Sequence, residues 1–69
     1  MVFLLVNKKQ TGIVIPNIRD VHVSQQFCCF IVFVDDKNVF SSYKRKTSFV
    51  VLNDIRDQIR RYYENTQIK

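Results

Sequence analysis

FCCFIVFV, residues 27–34, is a stretch of eight apolar residues without a polar interruption. A strand with one face in water alternates apolar and polar residues, and this stretch does not. Leaving either face in water would forfeit about 1.5–3 kcal/mol per large side chain. Three such residues approach the whole stability of a typical domain, roughly 5–15 kcal/mol. We therefore expect a central strand that is covered on both faces.

The two faces of this predicted strand follow from alternation along it. One face carries Phe27, Cys29, Ile31 and Phe33, and the other carries Cys28, Phe30, Val32 and Val34. One amphipathic helix can cover only one of them. The other face needs either a sheet that curls into a small barrel or a second copy of the chain across a two-fold axis. We favour a homodimer, with Phe30, Val32 and Val34 at the interface.

Further short strands surround this stretch. They are predicted at Val2–Val6, Ile13–Ile15, Val21–Val23 and Val39–Tyr43, with a short extended segment at Thr47–Val51. Asn7–Gly12 and Asp35–Asn38 have the Asn, Asp and Gly residues of tight turns. Pro16 interrupts strand pairing because it offers no N–H, and Asn17–Asp20 can form a single helical turn. The pattern predicts about five short antiparallel strands.

The C-terminal segment predicts one amphipathic helix. Its apolar stripe is Leu52, Ile55, Ile59 and Tyr62. Asn53 is the predicted N-cap, and the helix is predicted to end near Asn65. The ion pairs expected four residues apart are Asp57–Arg61 and Arg60–Glu64. The fold class is therefore α+β: a small antiparallel sheet, open to barrel-like curling, followed by one helix in a single domain, residues 1–69.

Charge favours a polyanionic partner. Eleven Lys and Arg residues against six Asp and Glu give a net charge of +5, an excess that favours nucleic acid or an anionic lipid surface as the partner. The best candidate site is Tyr43-Lys44-Arg45-Lys46, since cations neutralise phosphates and an aromatic ring stacks on an unpaired base. Further candidates are Lys8, Lys9, Arg60 and Arg61. The same charges can instead protect a strand edge and keep a β-rich protein soluble.

Residues capable of catalysis or metal binding are few. Cys28 and Cys29 are neighbours on a strand and point to opposite faces, so we expect two reduced cysteines in the core rather than a disulfide. His22 is the only histidine, so the chain offers too few ligands for a metal site. Asp20 and Ser24 share its strand face, but strand neighbours cannot align as a catalytic triad. We predict no enzymatic activity, no metal and no cofactor.

These observations lead to two functional hypotheses. The first is a small, basic, homo-oligomeric protein that binds nucleic acid. The alternative is a protein–protein interaction module, such as an adaptor, antagonist or inhibitor of the kind that phages and mobile elements encode. The sequence holds neither a run of about 20 apolar residues nor the features of a signal peptide. It therefore predicts no membrane association and a cytoplasmic location, in the host if the protein is viral.

Overall fold

The computed structural model describes residues 2–67, with side chains through residue 65. Its elements are β1 (Phe3–Val6), β2 (Lys9–Val14), a short 3-10 helix (Ile15–Asn17), β3 (Val21–Gln26), β4 (Cys29–Val34), β5 (Lys37–Ser42) and α1 (Arg45–Gln67). β1 and β2 form one antiparallel sheet, and β3, β4 and β5 form another in that order. The predicted α+β class is confirmed. The sheets stay open, so the barrel-like alternative is wrong.

Two of the three hairpins close through two-residue turns in which both residues have positive φ. Asn7 and Lys8 have φ of 52° and 64°, and Asp35 and Asp36 have φ of 49° and 68°. This pattern is that of the type I′ turn, whose twist matches the twist of the strands. Asn and Asp tolerate positive φ better than most residues do. Both turns are shorter than the sequence predicted, so β2 and β5 begin earlier than expected.

Gly12 marks an irregularity within β2. The strand register shifts between the pairs Phe3↔Val14 and Leu5↔Gln10, so β2 uses more residues than β1 over this interval. Gly12 has φ of 80° at this point. A residue without a Cβ adopts that conformation at little steric cost, and it accommodates the bulge.

The middle strand β4 is shorter than predicted. Phe27 and Cys28 form the turn between β3 and β4 instead of belonging to the strand. The β3–β4 ladder consists of six consecutive pairs and reaches Gln26↔Cys29. The predicted strand end at Val23 was therefore too early. The polar residues after Val23 continue β3, and their pairing with β4 leaves only two residues for the turn.

The core lies between α1 and the two sheets. Its buried members are Leu4, Val6, Ile15, Val32, Val34, Val51, Leu52 and Ile55. Val32 and Val34 are fully buried within one chain, and Phe30 is half-buried. The prediction that these three residues form an interface between copies is therefore wrong for Val32 and Val34. The sequence could not say which face the helix would cover, and it covers the face of these two valines.

The opposite side of the three-stranded sheet is here named the outer face. It consists of Cys29, Ile31 and Phe33 on β4, flanked by His22, Ser24 and Gln26 on β3 and by Asn38 and Ser41 on β5. The three central residues are half-buried. The His22 ring stacks on Phe33 with 5.3 Å between ring centroids. An apolar row thus runs between two polar rows, and none of these eight residues is Lys, Arg, Asp or Glu. The carboxylate of Asp20 adjoins the face, 2.7 Å from His22 Nδ1.

The helix begins earlier than predicted. It starts at Arg45, so the extended segment Thr47–Val51 and the N-cap at Asn53 are both wrong. The buried positions of its first turns are Ser48, Val51, Leu52 and Ile55. They recur at helical spacing, and their packing overrides the β-propensity of this segment. The predicted stripe from Leu52 to Tyr62 does pack against the core and is confirmed.

Candidate nucleic-acid interface

Strand pairing brings the β3–β4 turn, the end of β5 and the start of α1 to one end of the molecule. Gln25 of β3 and Ser42 of β5 both pair with Phe30 of β4. Ser48 of α1, fully buried, donates from its Oγ to the Phe30 carbonyl oxygen at 2.8 Å. The residues that follow β3 and β5 are therefore separated by about two strand spacings, near 10 Å. This surface is here named the aromatic–basic end: Phe27, Tyr43, Lys44, Arg45, Lys46 and Phe49.

Three consecutive cations stand where α1 begins. Lys44, Arg45 and Lys46 are exposed, and the Lys44 carbonyl accepts the Ser48 N–H at 3.3 Å as the helix starts. The first turn contains no acidic residue. Positive charge here opposes the helix dipole, at a cost of about 0.3–1 kcal/mol per residue. In the part of the chain that the structure describes, no carboxylate pairs with these three cations.

Arg45 is held against an aromatic ring. Its guanidinium carbon lies 5.2 Å from the centroid of Phe49, which is cation–π geometry. The two side chains border a depression of about 320 Å³ that is also lined by Val23, Gln25 and Phe30. Stacking restricts the guanidinium without using its N–H donors. Arg45 therefore keeps those donors available for a phosphate.

Phe27 occupies a strained and completely exposed position. Its side chain is 100% exposed, and its φ is 57°. Cys28 has no positive φ, so this turn follows the type II′ pattern, whose first position favours glycine. A bulky residue there is an outlier that costs about 1–2 kcal/mol. The apolar run of the sequence concealed this position, although the polar residues Gln25 and Gln26 before it indicated a solvent-facing end of β3.

Tyr43 is the second exposed aromatic ring at this end. It follows β5 directly and is 78% exposed. The next residue, Lys44, donates its backbone N–H to the Ser42 Oγ at 3.1 Å, which fixes the chain between the strand and the helix. Two rings that are more than three-quarters exposed, Phe27 and Tyr43, therefore accompany the three cations, which have no carboxylate partner among the described residues. Of these two rings, only Tyr43 was predicted from the sequence.

Lys8 and Lys9 form a separate basic tip. Both are exposed, at the turn between β1 and β2. Their hairpin is joined to α1 at Gln58, whose Oε1 accepts the Leu5 N–H at 3.0 Å and whose Nε2 donates to the Leu5 carbonyl at 2.8 Å. Gln58 lies about 20 Å along the helix from Arg45. The two lysines thus belong to a different hairpin from the aromatic–basic end.

Arg60 and Arg61 are engaged within the helix. Arg61 contacts Asp57 at 2.9 Å, while Arg60 hydrogen-bonds Asp57 and lies 3.2 Å from Glu64. The predicted pairs Asp57–Arg61 and Arg60–Glu64 are confirmed. The hydrogen bond from Arg60, supported by the charge of Arg61, lowers the pKa of Asp57, and the same contact raises the pKa of Arg60. A phosphate would have to compete with these carboxylates for both arginines.

Other reactive groups do not converge. His22 Nδ1 lies 2.7 Å from Asp20 Oδ2, the polar pair that the sequence suggested. Cys28 is exposed in its turn, so the expectation that both cysteines lie in the core is wrong. Within residues 2–67, no group of three or more His, Cys, Asp and Glu residues could hold a metal ion. These residues form no constellation of nucleophile, base and orienting group.

A further concavity lies away from the aromatic–basic end. It measures about 480 Å³ and lies between β1 and the second half of α1. Its lining is Val2, Phe3, Leu5, Ile15, Gln58, Arg61, Tyr62 and Asn65. Arg61 is the single charged residue of that lining. The groove therefore offers apolar surface rather than the paired titratable groups that acid–base chemistry requires.

No protein-family model, no curated protein and no solved structure matches this chain. None of the helical segments that the structure describes combines the length and apolar character needed to cross a membrane. Interpretation of the aromatic–basic end consequently depends on its own charges, rings and backbone.

Proposed function

We propose that this chain is a non-catalytic nucleic-acid-binding protein that contacts the phosphate backbone with Lys44, Arg45 and Lys46. One observation carries the proposal: these cations are unpaired among the described residues and stand at a helix start, where they oppose the dipole. Phosphate oxygens would supply the negative charge that the protein itself does not place there. Stability given up at one location in this way is typical of functional residues.

Two features favour a polymeric ligand over a small anion. The exposed rings of Phe27 and Tyr43 offer flat surfaces on which bases stack. The molecule is also elongated, 46 × 20 × 19 Å, and carries a second basic tip at Lys8 and Lys9. A chain of phosphates can contact both basic regions at once, and a single phosphate cannot. We further propose a cytoplasmic location, on the sequence features alone.

The test is a salt titration by fluorescence anisotropy with a labelled oligonucleotide. Three neutralised phosphates predict that log K falls linearly with log salt, with a slope of about −2 on a single strand and about −3 on a duplex. The variant Lys44→Ala/Arg45→Ala/Lys46→Ala should lose most of this binding and most of the slope. Absence of any binding by the wild type at low salt would refute the proposal.

The matched control is Arg60→Ala/Arg61→Ala. It also removes exposed cations from α1, but from arginines that already have carboxylate partners. We expect the affinity of this variant to stay within about threefold of the wild type, since its arginines are already neutralised. Circular dichroism of both variants shows whether the fold survives. Equal losses in the two variants would mean that net charge, not the aromatic–basic end, governs binding.

A second candidate function is protein association through the outer face, and we propose a second copy of the chain as the occupant. The apolar row Cys29, Ile31 and Phe33 is half-buried and lacks a covering helix. Two molecules of net charge +5 repel each other, and the outer face is a surface without Lys or Arg on which they could meet. This retains the predicted homodimer but changes its interface.

Analytical ultracentrifugation tests this dimer. The wild type should sediment as a dimer, and Ile31→Lys should shift it to monomer because the lysine would lose its hydration at the interface. Gln10→Lys, an exposed change on β2, is the control with the same added charge. A wild-type monomer at every concentration would contradict the proposal. A monomer that associates only with a different protein would favour the interaction-module alternative.

A further inference from the structure

We infer that the nucleic acid bound at the aromatic–basic end is single-stranded, with an unpaired base stacked on Phe27; this inference rests on the proposed function. The sequence pattern assigned Phe27 to a buried strand. Its position in the structure gives it neither a packing role nor a favourable backbone conformation.

The Phe27 ring does not contribute to the core. It is 100% exposed, whereas a buried phenylalanine would gain the free energy of leaving water. Its φ of 57° adds backbone strain that glycine at the same position would avoid. Strain combined with exposure of a large ring is typical of a contact residue held ready for a ligand. The ligand must therefore offer a surface complementary to an aromatic face.

The surroundings of Phe27 define the rest of that ligand. Gln25 and Ser42 pair with the same β4 residue, so Phe27 and Tyr43, which follow them, extend from one end of the sheet. The three cations follow Tyr43 directly. Aromatic rings next to unpaired cations form a site for alternating bases and phosphates.

Only an unpaired base exposes the face that such stacking requires. In a duplex the base faces are occupied by neighbouring base pairs, and proteins reach only the base edges and the backbone. Phe27 would then remain in water and add nothing to affinity. A single strand can place a base on the Phe27 ring while its phosphates contact Lys44 and Lys46.

An anionic lipid surface is the competing ligand class. Surfaces that insert into membranes present a broad apolar face below a basic one. Phe27 is preceded by Gln25 and Gln26, both exposed. Their amides are able to donate to and accept from base edges, and their burial in hydrocarbon would be costly. The two exposed glutamines that precede Phe27 therefore favour a nucleic acid over a lipid surface as the ligand.

The experiment uses the full chain and two substitutions at one position. Phe27→Gly removes the ring and suits the turn. Phe27→Trp keeps an aromatic face and introduces the only tryptophan of the chain. Each protein is titrated with a labelled 15-mer deoxythymidine oligonucleotide and with a DNA duplex of the same length. Phe27→Gly should weaken single-strand binding by about 5- to 100-fold and leave duplex binding unchanged.

Phe27→Trp should retain the affinity, and its fluorescence should be quenched by the single strand but not by the duplex. Thermal unfolding of Phe27→Gly should show a melting temperature no lower than that of the wild type, which separates lost stacking from lost folding. Wild-type single-strand affinity in Phe27→Gly, or stronger binding to duplex, would overturn the inference. The proposed function would survive that result if the triple alanine variant still lost binding.

Two other outcomes refute both ideas. One is a wild type that binds neither oligonucleotide at low salt. The other is a Phe27→Trp variant whose fluorescence responds to vesicles of phosphatidylserine and phosphatidylcholine while titration with either labelled oligonucleotide shows no binding, which would assign the aromatic–basic end to lipid.

Discussion

Both ends of α1 carry exposed basic residues, but the two ends differ in whether a carboxylate pairs with them. At the start, Lys44, Arg45 and Lys46 oppose the helix dipole, and no carboxylate among the described residues pairs with them. Towards the other end, Arg60 and Arg61 share Asp57. A count of basic residues treats both groups alike. A cation is therefore available to a partner only where the fold leaves it without a local carboxylate.

The attachment of the helix to the sheets differs between its two halves as well. Near the aromatic–basic end, the fully buried Ser48 donates its hydroxyl to the Phe30 carbonyl. In the second half, the half-buried Gln58 contacts Leu5 through both atoms of its amide. Three substitutions, Ser48→Ala, Lys44→Ser and Asp57→Asn, give four tests of these differences, in order of decreasing effect.

Ser48→Ala should have the largest effect. Loss of a fully buried hydroxyl that donates at 2.8 Å should lower the free energy of unfolding by about 1–3 kcal/mol. Urea denaturation measures the change. Thr47→Ala alters an exposed neighbour and should stay within about 0.5 kcal/mol of the wild type. Equal effects of the two substitutions would show that Ser48 does not anchor the aromatic–basic end.

Lys44→Ser should both stabilise the folded protein and weaken its binding to an oligonucleotide. Lys44 precedes the helix but offers no side-chain acceptor, and a serine hydroxyl there can accept a free N–H of the first turn. The expected gain is about 1 kcal/mol. Lys44→Ala removes the same charge without adding a cap, so the difference in urea midpoint between the two variants isolates the cap. A serine variant no more stable than the alanine variant would contradict this interpretation of the helix start.

Asp57→Asn should make the arginines in the second half of the helix more available to phosphate, as the cations at its start are. Without the carboxylate, Arg60 and Arg61 lose their shared partner. Oligonucleotide affinity should rise by about two- to threefold, with a steeper salt dependence. Asp36→Asn removes one negative charge from an exposed turn and is the control for net charge alone. Identical gains in both variants would show that carboxylate pairing does not limit the two arginines.

The smallest effect concerns pH. Because the folded-state pKa of Asp57 is lowered, its carboxylate contributes stability above its unfolded pKa of about 4, and that contribution is lost as pH falls through the folded pKa. Asp57→Asn should therefore unfold at a lower urea concentration than the wild type at pH 7. The difference should shrink at pH 3. A constant difference between pH 7 and pH 3 would argue against this role of the charge.

The fold class was predictable because the spacing of apolar residues within a short segment indicates whether that segment is a helix or a strand. The stripe from Leu52 to Tyr62 predicted a helix, and the apolar run at residues 27–34 predicted a strand covered on both faces. Within one chain the helix covers the face of Val32 and Val34. The start of the helix was not predictable in the same way. Residues 47–51 favour a strand individually, and only the packing of Ser48 and Leu52 under the sheet makes them helical.

The candidate site was half predictable. The run from Tyr43 to Lys46 was identified from charge and aromatic content alone. Its neighbour Phe27 was not, because in an apolar run a turn residue looks like a core residue until the strand register is known. Which arginines were available also depended on helix geometry, although the spacing of Asp57 and Arg61 indicated their pairing in advance.

The Gln58 amide has a consequence for association between chains. It hydrogen-bonds both the N–H and the carbonyl of Leu5, as a neighbouring strand would. Another strand therefore cannot pair with the free edge of β1 at this residue. The segment Val2–Val6 is uncharged and β-prone, the composition that favours cross-β stacking when its backbone is free. A single glutamine side chain thus protects an aggregation-prone segment of the chain. We expect its loss to be seen first as fibril formation rather than as a lower melting temperature.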